Sequence, residues 1–283
     1  MTSSPRCPDP GAVAPIRRST HAHPPSFPAS LSYGWWASNG PTGGYLSALA
    51  LDAIGESDQL DGWRVLSVDL NILRTPAADA FEAVVSLQPG LGRTVLAVVT
   101  FTQGQPVAVA SIYLTADRGA ETIPSQRPPN VLPPEAYPVM VTQPSRSPPV
   151  TSQFAYRPVV TPEGRSGHPD LDLVWVRPAV PRSGDQGIVQ LVDCWYPANH
   201  MRVVRDYLDV RDTEVLDPPE TNLLATHTLF LHPRDLGDTT DYFLLTTRLD
   251  AIVRGVHFEQ WQLWSEGGQL LAAAHLVRRE RGV

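Results

Sequence analysis

One stretch limits the choice of folds more than any other: residues 39–55, Asn-Gly-Pro-Thr-Gly-Gly-Tyr-Leu-Ser-Ala-Leu-Ala-Leu-Asp-Ala-Ile-Gly. From Tyr45 to Ile54 only Ser47 and Asp52 are polar. A helix that is apolar on nearly every side must be surrounded, so the rest of the chain has to wrap it. Asn39 or Gly40 suits the N-cap, Pro41 the first turn and Gly55 the close. Gly43 and Gly44 fall where the first turn exposes unpaired N–H groups. Without a Cβ there, either a ligand carbonyl or a packed neighbour can come close. An oxyanion-type site and plain packing on a sheet both fit.

After the helix the apolar period changes to two. Leu66, Val68, Leu70 and Ile72 alternate with polar residues, and Phe81, Ala83, Val85 and Leu87 repeat the pattern. Longer strands follow at 93–102 and 106–115, joined by Gln103-Gly104-Gln105. One helix followed by four strands at hairpin spacing predicts an antiparallel sheet curled around that helix. Tyr33, Trp35 and Trp36 either cover the helix start or line a pocket entrance.

Between residues 124 and 149 lie nine prolines. Such a segment cannot sit inside a sheet, and it reads as a stiff linker. Beyond it the order recurs: strands at 154–160 and 171–177, a helix from Gly184 to Tyr196, and strands at 222–232, 242–253, 256–265 and 269–278. Gly92-Arg93-Thr94 and Gln105-Pro106-Val107-Ala108 parallel Arg254-Gly255-Val256 and Gln269-Leu270-Leu271-Ala272. An internal duplication explains both. The predicted organisation is a flexible tail at 1–28, a first unit at 29–116, the proline-rich linker at 117–152 and a second unit at 153–283.

Composition narrows the chemistry. The net charge is −7, and all 22 basic residues are arginines, so neither nucleic-acid binding nor lysine Schiff-base chemistry is expected. Cys7 and Cys194 provide no disulfide framework and no metal spacing, although Cys194 could serve as a nucleophile or simply as a small buried apolar group. No metal or cofactor is expected. With no apolar run of about 20 residues and no N-terminal h-region, a cytoplasmic protein without a membrane span is the expectation.

Residues 39–55, the strand ending Leu73-Arg74-Thr75-Pro76, Gly92-Arg93-Thr94 and the Gln105–Ala108 turn resemble the first half of the acyl-CoA thioesterase II (TesB-like) family. The segments around Asp193, His227-Thr228-Leu229-Phe230 and 268–278 resemble its second half. This resemblance implies an α+β double hotdog, in which two antiparallel sheets each wrap a central helix and join into one long sheet around an acyl tunnel. It also implies an acyl-CoA or acyl-carrier-linked substrate and a homo-oligomer. The family holds a hydrolytic water with Asp, Thr and Gln. Placed here, these positions are Asp193, Leu224 and Leu276, so two of the three polar groups are replaced by hydrocarbon.

The catalytic candidates are therefore Asp193, with Thr226 or Thr228 as substitutes for the missing hydroxyl. Gly43, Gly44, Tyr33, Trp36, Asn71, Leu224, His275 and Leu276 are candidates for lining the substrate site. Asn71 shares a strand face with Asp69, and either lines a pocket or meets solvent. Asp52 reads as a helix-surface group. His227, His257 and His275 lie on predicted strands and, with Glu259, lack metal-ligand spacing. No histidine lies between His23 and His168, which argues against a dehydratase that pairs a histidine of one half with an acid of the other. Three functions stay open: a thioesterase, a non-hydrolytic cyclase, isomerase or pericyclic-type enzyme acting on a hydrophobic polyketide-like molecule, and a non-catalytic acyl binder.

Overall fold

The computed structural model describes residues 24–37, 40–56, 60, 62–77, 80–116, 126–141, 147–159, 171–182, 184–195, 222–231 and 240–280. The first half runs β1 (Ser26–Ser30), β2 (Trp36–Ala37), β3 (Gly40–Pro41), α1 (Gly43–Gly55), β4 (Arg64–Ile72), β5 (Ala80–Pro89), β6 (Thr94–Thr102) and β7 (Pro106–Thr115). The second runs β8 (Phe154–Pro158), β9 (Asp172–Pro178), α2 (Gly184–Val189), β10 (Asn222–Leu231), β11 (Phe243–Val253), β12 (Val256–Ser265) and β13 (Leu270–Glu280).

Eleven strands form one sheet in the order β1-β5-β6-β7-β4-β10-β13-β12-β11-β9-β8. Each half places its post-helix strand at the seam, then returns to it through a three-stranded meander. The halves meet where β4 and β10 pair antiparallel, Leu70 opposite His227 and Asp69 opposite Thr228. Duplication extends to detail. The register slips between Val65 and Ser67 where β4 meets β7, and between Leu224 and Thr226 where β10 meets β13. Turn glycines with positive φ, Gly92 and Gly104, recur as Gly255 and Gly268. The end strands β1 and β8 carry Pro28 and Pro158.

Helix α1 is enclosed as its composition requires. Leu46, Ala48, Ala50, Leu51 and Ile54 are all buried, and each large aliphatic side chain so removed from water contributes about 1.5–3 kcal/mol. Its start differs from expectation. Gly40 and Pro41 belong to β3, and Thr42 caps the helix by accepting the Tyr45 N–H at 3.3 Å. Trp35 stacks on Tyr45 with ring centroids 4.9 Å apart, so this tryptophan covers the first turn.

Two details add to the expected organisation, and one expectation shifts. Residues 26–30, predicted in part as tail, pair with β5. The described parts of the proline-rich segment are fastened to the second half, with Arg157 Nη1 donating to the carbonyls of Pro134 and Tyr137. Helix α2 stops at Val189 instead of reaching Tyr196, and turns replace it through Asp193, whose φ is 65°. No helix among the described residues is long and apolar enough to cross a membrane.

Candidate functional site

The turn that ends α2 packs directly on the start of α1. A Cβ on Gly44 would lie 2.2 Å from the Val192 carbonyl oxygen and 2.6 Å from that of Val189. Glycine at this position is therefore demanded by the close approach of backbone. The same approach brings the Asp193 carboxylate to the first turn, where its Oδ2 accepts the Gly43 N–H at 2.9 Å. A helix N-terminus stabilises an anion.

The other oxygen of Asp193, Oδ1, accepts from Arg278 Nη2 on β13. Arg278 Nε donates to Glu259 Oε1 on β12 at 2.8 Å, and Trp261 Nε1 donates to Glu259 Oε2 at 3.0 Å. These side chains are buried: 6% exposed for Arg278 and Asp193, 1% for Glu259. Beside them, Ser47 Oγ of α1 and His227 Nε2 of β10 share a 3.0 Å hydrogen bond. His227 Nδ1 is buried with no hydrogen-bond partner among the described residues.

Burial sets the protonation states. It pushes the Asp193 carboxyl above its usual range, against the lowering pull of Arg278 and of the Gly43 N–H, while Glu259 raises it further. His227 is lowered to about 3, first by burial and then by the Arg278 charge, so its imidazole is neutral. Burial, then the charge of Asp193, pushes the Cys194 thiol well up. That leaves Cys194 a thiol rather than a thiolate, which disfavours it as a nucleophile. Burial, followed by Cys194 and Asp193, likewise raises Tyr156, whose hydroxyl donates to the Cys194 carbonyl at 2.6 Å.

Of the residues singled out from sequence, Asp193, Gly43 and Gly44 come together. Thr226 and Thr228 do not join them. Thr226 Oγ1 donates to the Leu70 carbonyl at 2.7 Å and Thr228 Oγ1 to Asp69 Oδ1 at 3.2 Å, which ties both hydroxyls to β4 across the seam. The cause is the register slip after Leu224. It sets Leu224 opposite Arg278 and Thr226 opposite Val277, so the two residues are not in phase as strict alternation predicts. Leu276 is buried opposite His227, whereas His275 and Asn71 are exposed on the outer face. Tyr33 is also exposed, and its ring lies 5.9 Å from that of Trp36, whose indole Nε1 is buried without a partner among the described residues.

Arg278 and Glu259 are the residues the sequence reading missed in this role. Period two already placed Arg278 on the face of Leu276 and Ala274, and Glu259 on that of Trp261 and Leu263. A charge on an otherwise apolar face was the signal.

Open clefts lie elsewhere among the described residues. One of about 490 Å³ sits at the far end of α1, between Leu51, Ile54, Trp63, Leu114 and Asp185. Another of about 580 Å³ lies between Pro128, Trp175, Leu244 and Gly268. The interior beside Leu229, Trp261 and Ala274 holds a void of only about 10 Å³.

No family model matches the sequence, and no curated protein matches it. Solved structures do match over nearly the whole chain. A conserved protein of unknown function with a hot dog fold from Alicyclobacillus acidocaldarius has a TM-score of 0.75 at 19% identity, covering 91% of this chain and 94% of its own. An acyl-CoA thioesterase II, TesB2, from Mycobacterium marinum gives 0.64 at 17%, covering 90% and 93%. The tesB protein of Mycobacterium avium subs paratuberculosis gives 0.66 at 15%, covering 90% and 92%. The chain is a double hotdog, folded like the TesB-type acyl-CoA thioesterases.

Proposed function

We propose that the protein is an acyl-thioester enzyme whose reacting base is Asp193. The observation that carries this reading is a buried carboxylate at the first turn of α1, held by Gly43 N–H and Arg278 inside a double hotdog. In hydrolysis Asp193 takes a proton from water as the water oxygen bonds to the thioester carbon. Arg278 supplies positive charge for the developing oxyanion. Collapse breaks the C–S bond, and the proton on Asp193 passes to the leaving thiolate. A carboxyl raised by burial is a stronger base than a free one, which suits the first step.

Thiol release from octanoyl-CoA and benzoyl-CoA tests this. Wild-type protein should release thiol, and Asp193→Asn should lower the rate by at least about 10²-fold. Retained turnover in Asp193→Asn removes the residue from the mechanism.

A second reading has its own support. Thr226 and Thr228 bond to β4, and Leu276 occupies the inner row, so no hydroxyl or amide from those positions steadies a water at Asp193. A base and a cation without those side chains to steady a water suit proton transfer on the acyl chain, as in an isomerase or cyclase acting on a polyketide-like substrate. An altered acyl chain without thiol release identifies this chemistry. Binding with neither outcome identifies a non-catalytic acyl binder.

A further inference from the structure

The guanidinium of Arg278 stands between two carboxylates. Its Nε–H and the adjacent Nη2–H form one edge, and that edge usually grips a single carboxylate with two parallel bonds. Here Nε goes to Glu259 Oε1 at 2.8 Å and Nη2 to Asp193 Oδ1. The second oxygen of Glu259 is fixed in turn by Trp261 Nε1 at 3.0 Å.

We propose that Glu259 is a positioning residue that splits this fork: it takes the Nε–H of Arg278 and leaves Asp193 only the Nη2–H of that edge. The inference rests on Asp193 being the reacting base. A carboxylate gripped by a full guanidinium fork is strongly stabilised as the anion and is a poor base. One prong holds Asp193 in place while leaving it able to take a proton.

Two observations separate this role from simple packing. First, the fold does not require the pair. The first half builds the same sheet with Ala97 where the second has Glu259, and with Leu114 where it has Arg278, by equivalent register. Replacing buried ion pairs with hydrocarbon is often neutral or stabilising, so retaining one calls for another reason. Second, the other groups facing the site cannot substitute for Glu259. Gly43 N–H from α1 is already bonded to Asp193. His227 on β10 is neutral, and Tyr156 and Cys194 stay protonated. His257 on β12, the ladder partner of Arg278, carries no carboxylate.

The test uses the full chain with ¹³C-labelled carboxyls and follows the Asp193 titration in two variants. Glu259→Asp keeps the charge but withdraws the reach, so the fork swings to Asp193. The Asp193 midpoint should fall by about one pH unit or more, and octanoyl-CoA turnover should fall about tenfold with KM unchanged. Glu259→Gln keeps an acceptor for Nε and should move the midpoint less than half as far. An equal or larger shift in Glu259→Gln, or no shift in either variant, overturns the proposal. If Glu259→Asp does not fold, Trp261→Phe loosens the same hold and should give a smaller fall, with an unmoved midpoint counting against the idea. Should wild-type protein release no thiol, the hydrolytic reading falls, while the titration still decides the role of Glu259.

Discussion

Aligned on their matching register slips, the two inner faces can be compared residue by residue. Val68, Val95, Ala97 and Leu114 in the first half stand where His227, His257, Glu259 and Arg278 stand in the second. Every one of them is buried. Two carboxylates also correspond in sequence, since Asp52 within α1 and Asp193 in the turn after α2 lie equally far from the first residues of those helices, Gly43 and Gly184. Yet Asp52 is 42% exposed and pairs with Arg182 at 3.2 Å, whereas Asp193 is 6% exposed. One scaffold thus carries a hydrocarbon interior in one half and a charged one in the other. The apolar half shows what the fold needs. The polar excess of the other half is what the proposed chemistry would draw on.

Making the second half resemble the first should expose that division. Arg278→Leu copies Leu114 but strands Asp193 and Glu259 without their cation. It should cost about 3–5 kcal/mol, read as a drop in the urea midpoint. Loss of under 1 kcal/mol would mean the charges reorganise freely and the comparison has little force. Gly44→Ala should cost about 1–3 kcal/mol, because the new methyl meets the Val192 carbonyl. Gly55→Ala, at the other end of the same helix, meets nothing within 4 Å and should be neutral or slightly stabilising in the same melt.

His227→Val copies Val68 and changes the pH dependence of stability. The folded His227 value of about 3 lies below the ordinary 6.5. Between those values the unfolded chain binds the extra proton, so wild-type stability falls as pH drops through that window. The variant should lack this loss. Asp193 acts with the opposite sign, because its folded value is raised and its contribution declines as pH climbs through that value. Subtracting variant from wild type cancels the Asp193 effect. A parallel pair of curves would show that His227 does not titrate with folding. A similarly small effect belongs to Asp52→Asn, which loses a half-exposed pair and should change stability by about 0.5 kcal/mol or less. Its turnover should stay within about twofold of wild type, in contrast to Asp193→Asn.

Strand positions were readable because one face of each strand is core, which imposes period two on Leu66–Ile72 and Phe81–Leu87 alike. The buried helix declared itself by lacking a polar face. Two features escaped for physical reasons. The slip at Leu224–Thr226 leaves alternation intact on either side, so a strict period of two does not reveal that Thr226 lies opposite Val277. Helix α2 ends early where the Leu191 and Val192 N–H groups turn to the Ile188 and Val189 carbonyls three residues back, with Asp193 left-handed at φ 65° beyond them, and nothing in Gln190–Cys194 resembles a helix stop. Asp193 stands out in the sequence as a candidate, but its partners are distant along the chain. Arg278 and Glu259 come from neighbouring strands whose mutual register only the assembled sheet supplies.

The prolines in the two end strands bear on how copies of this protein can meet. Among the described residues β1 pairs with β5 and β8 with β9, and the Tyr156 carbonyl of β8 also accepts the Met140 N–H at 2.8 Å. A further strand joining either margin would need an unbroken row of amide donors, and Pro28 and Pro158 each remove one. Strand addition at either margin is thereby disfavoured, a barrier to edge-to-edge aggregation.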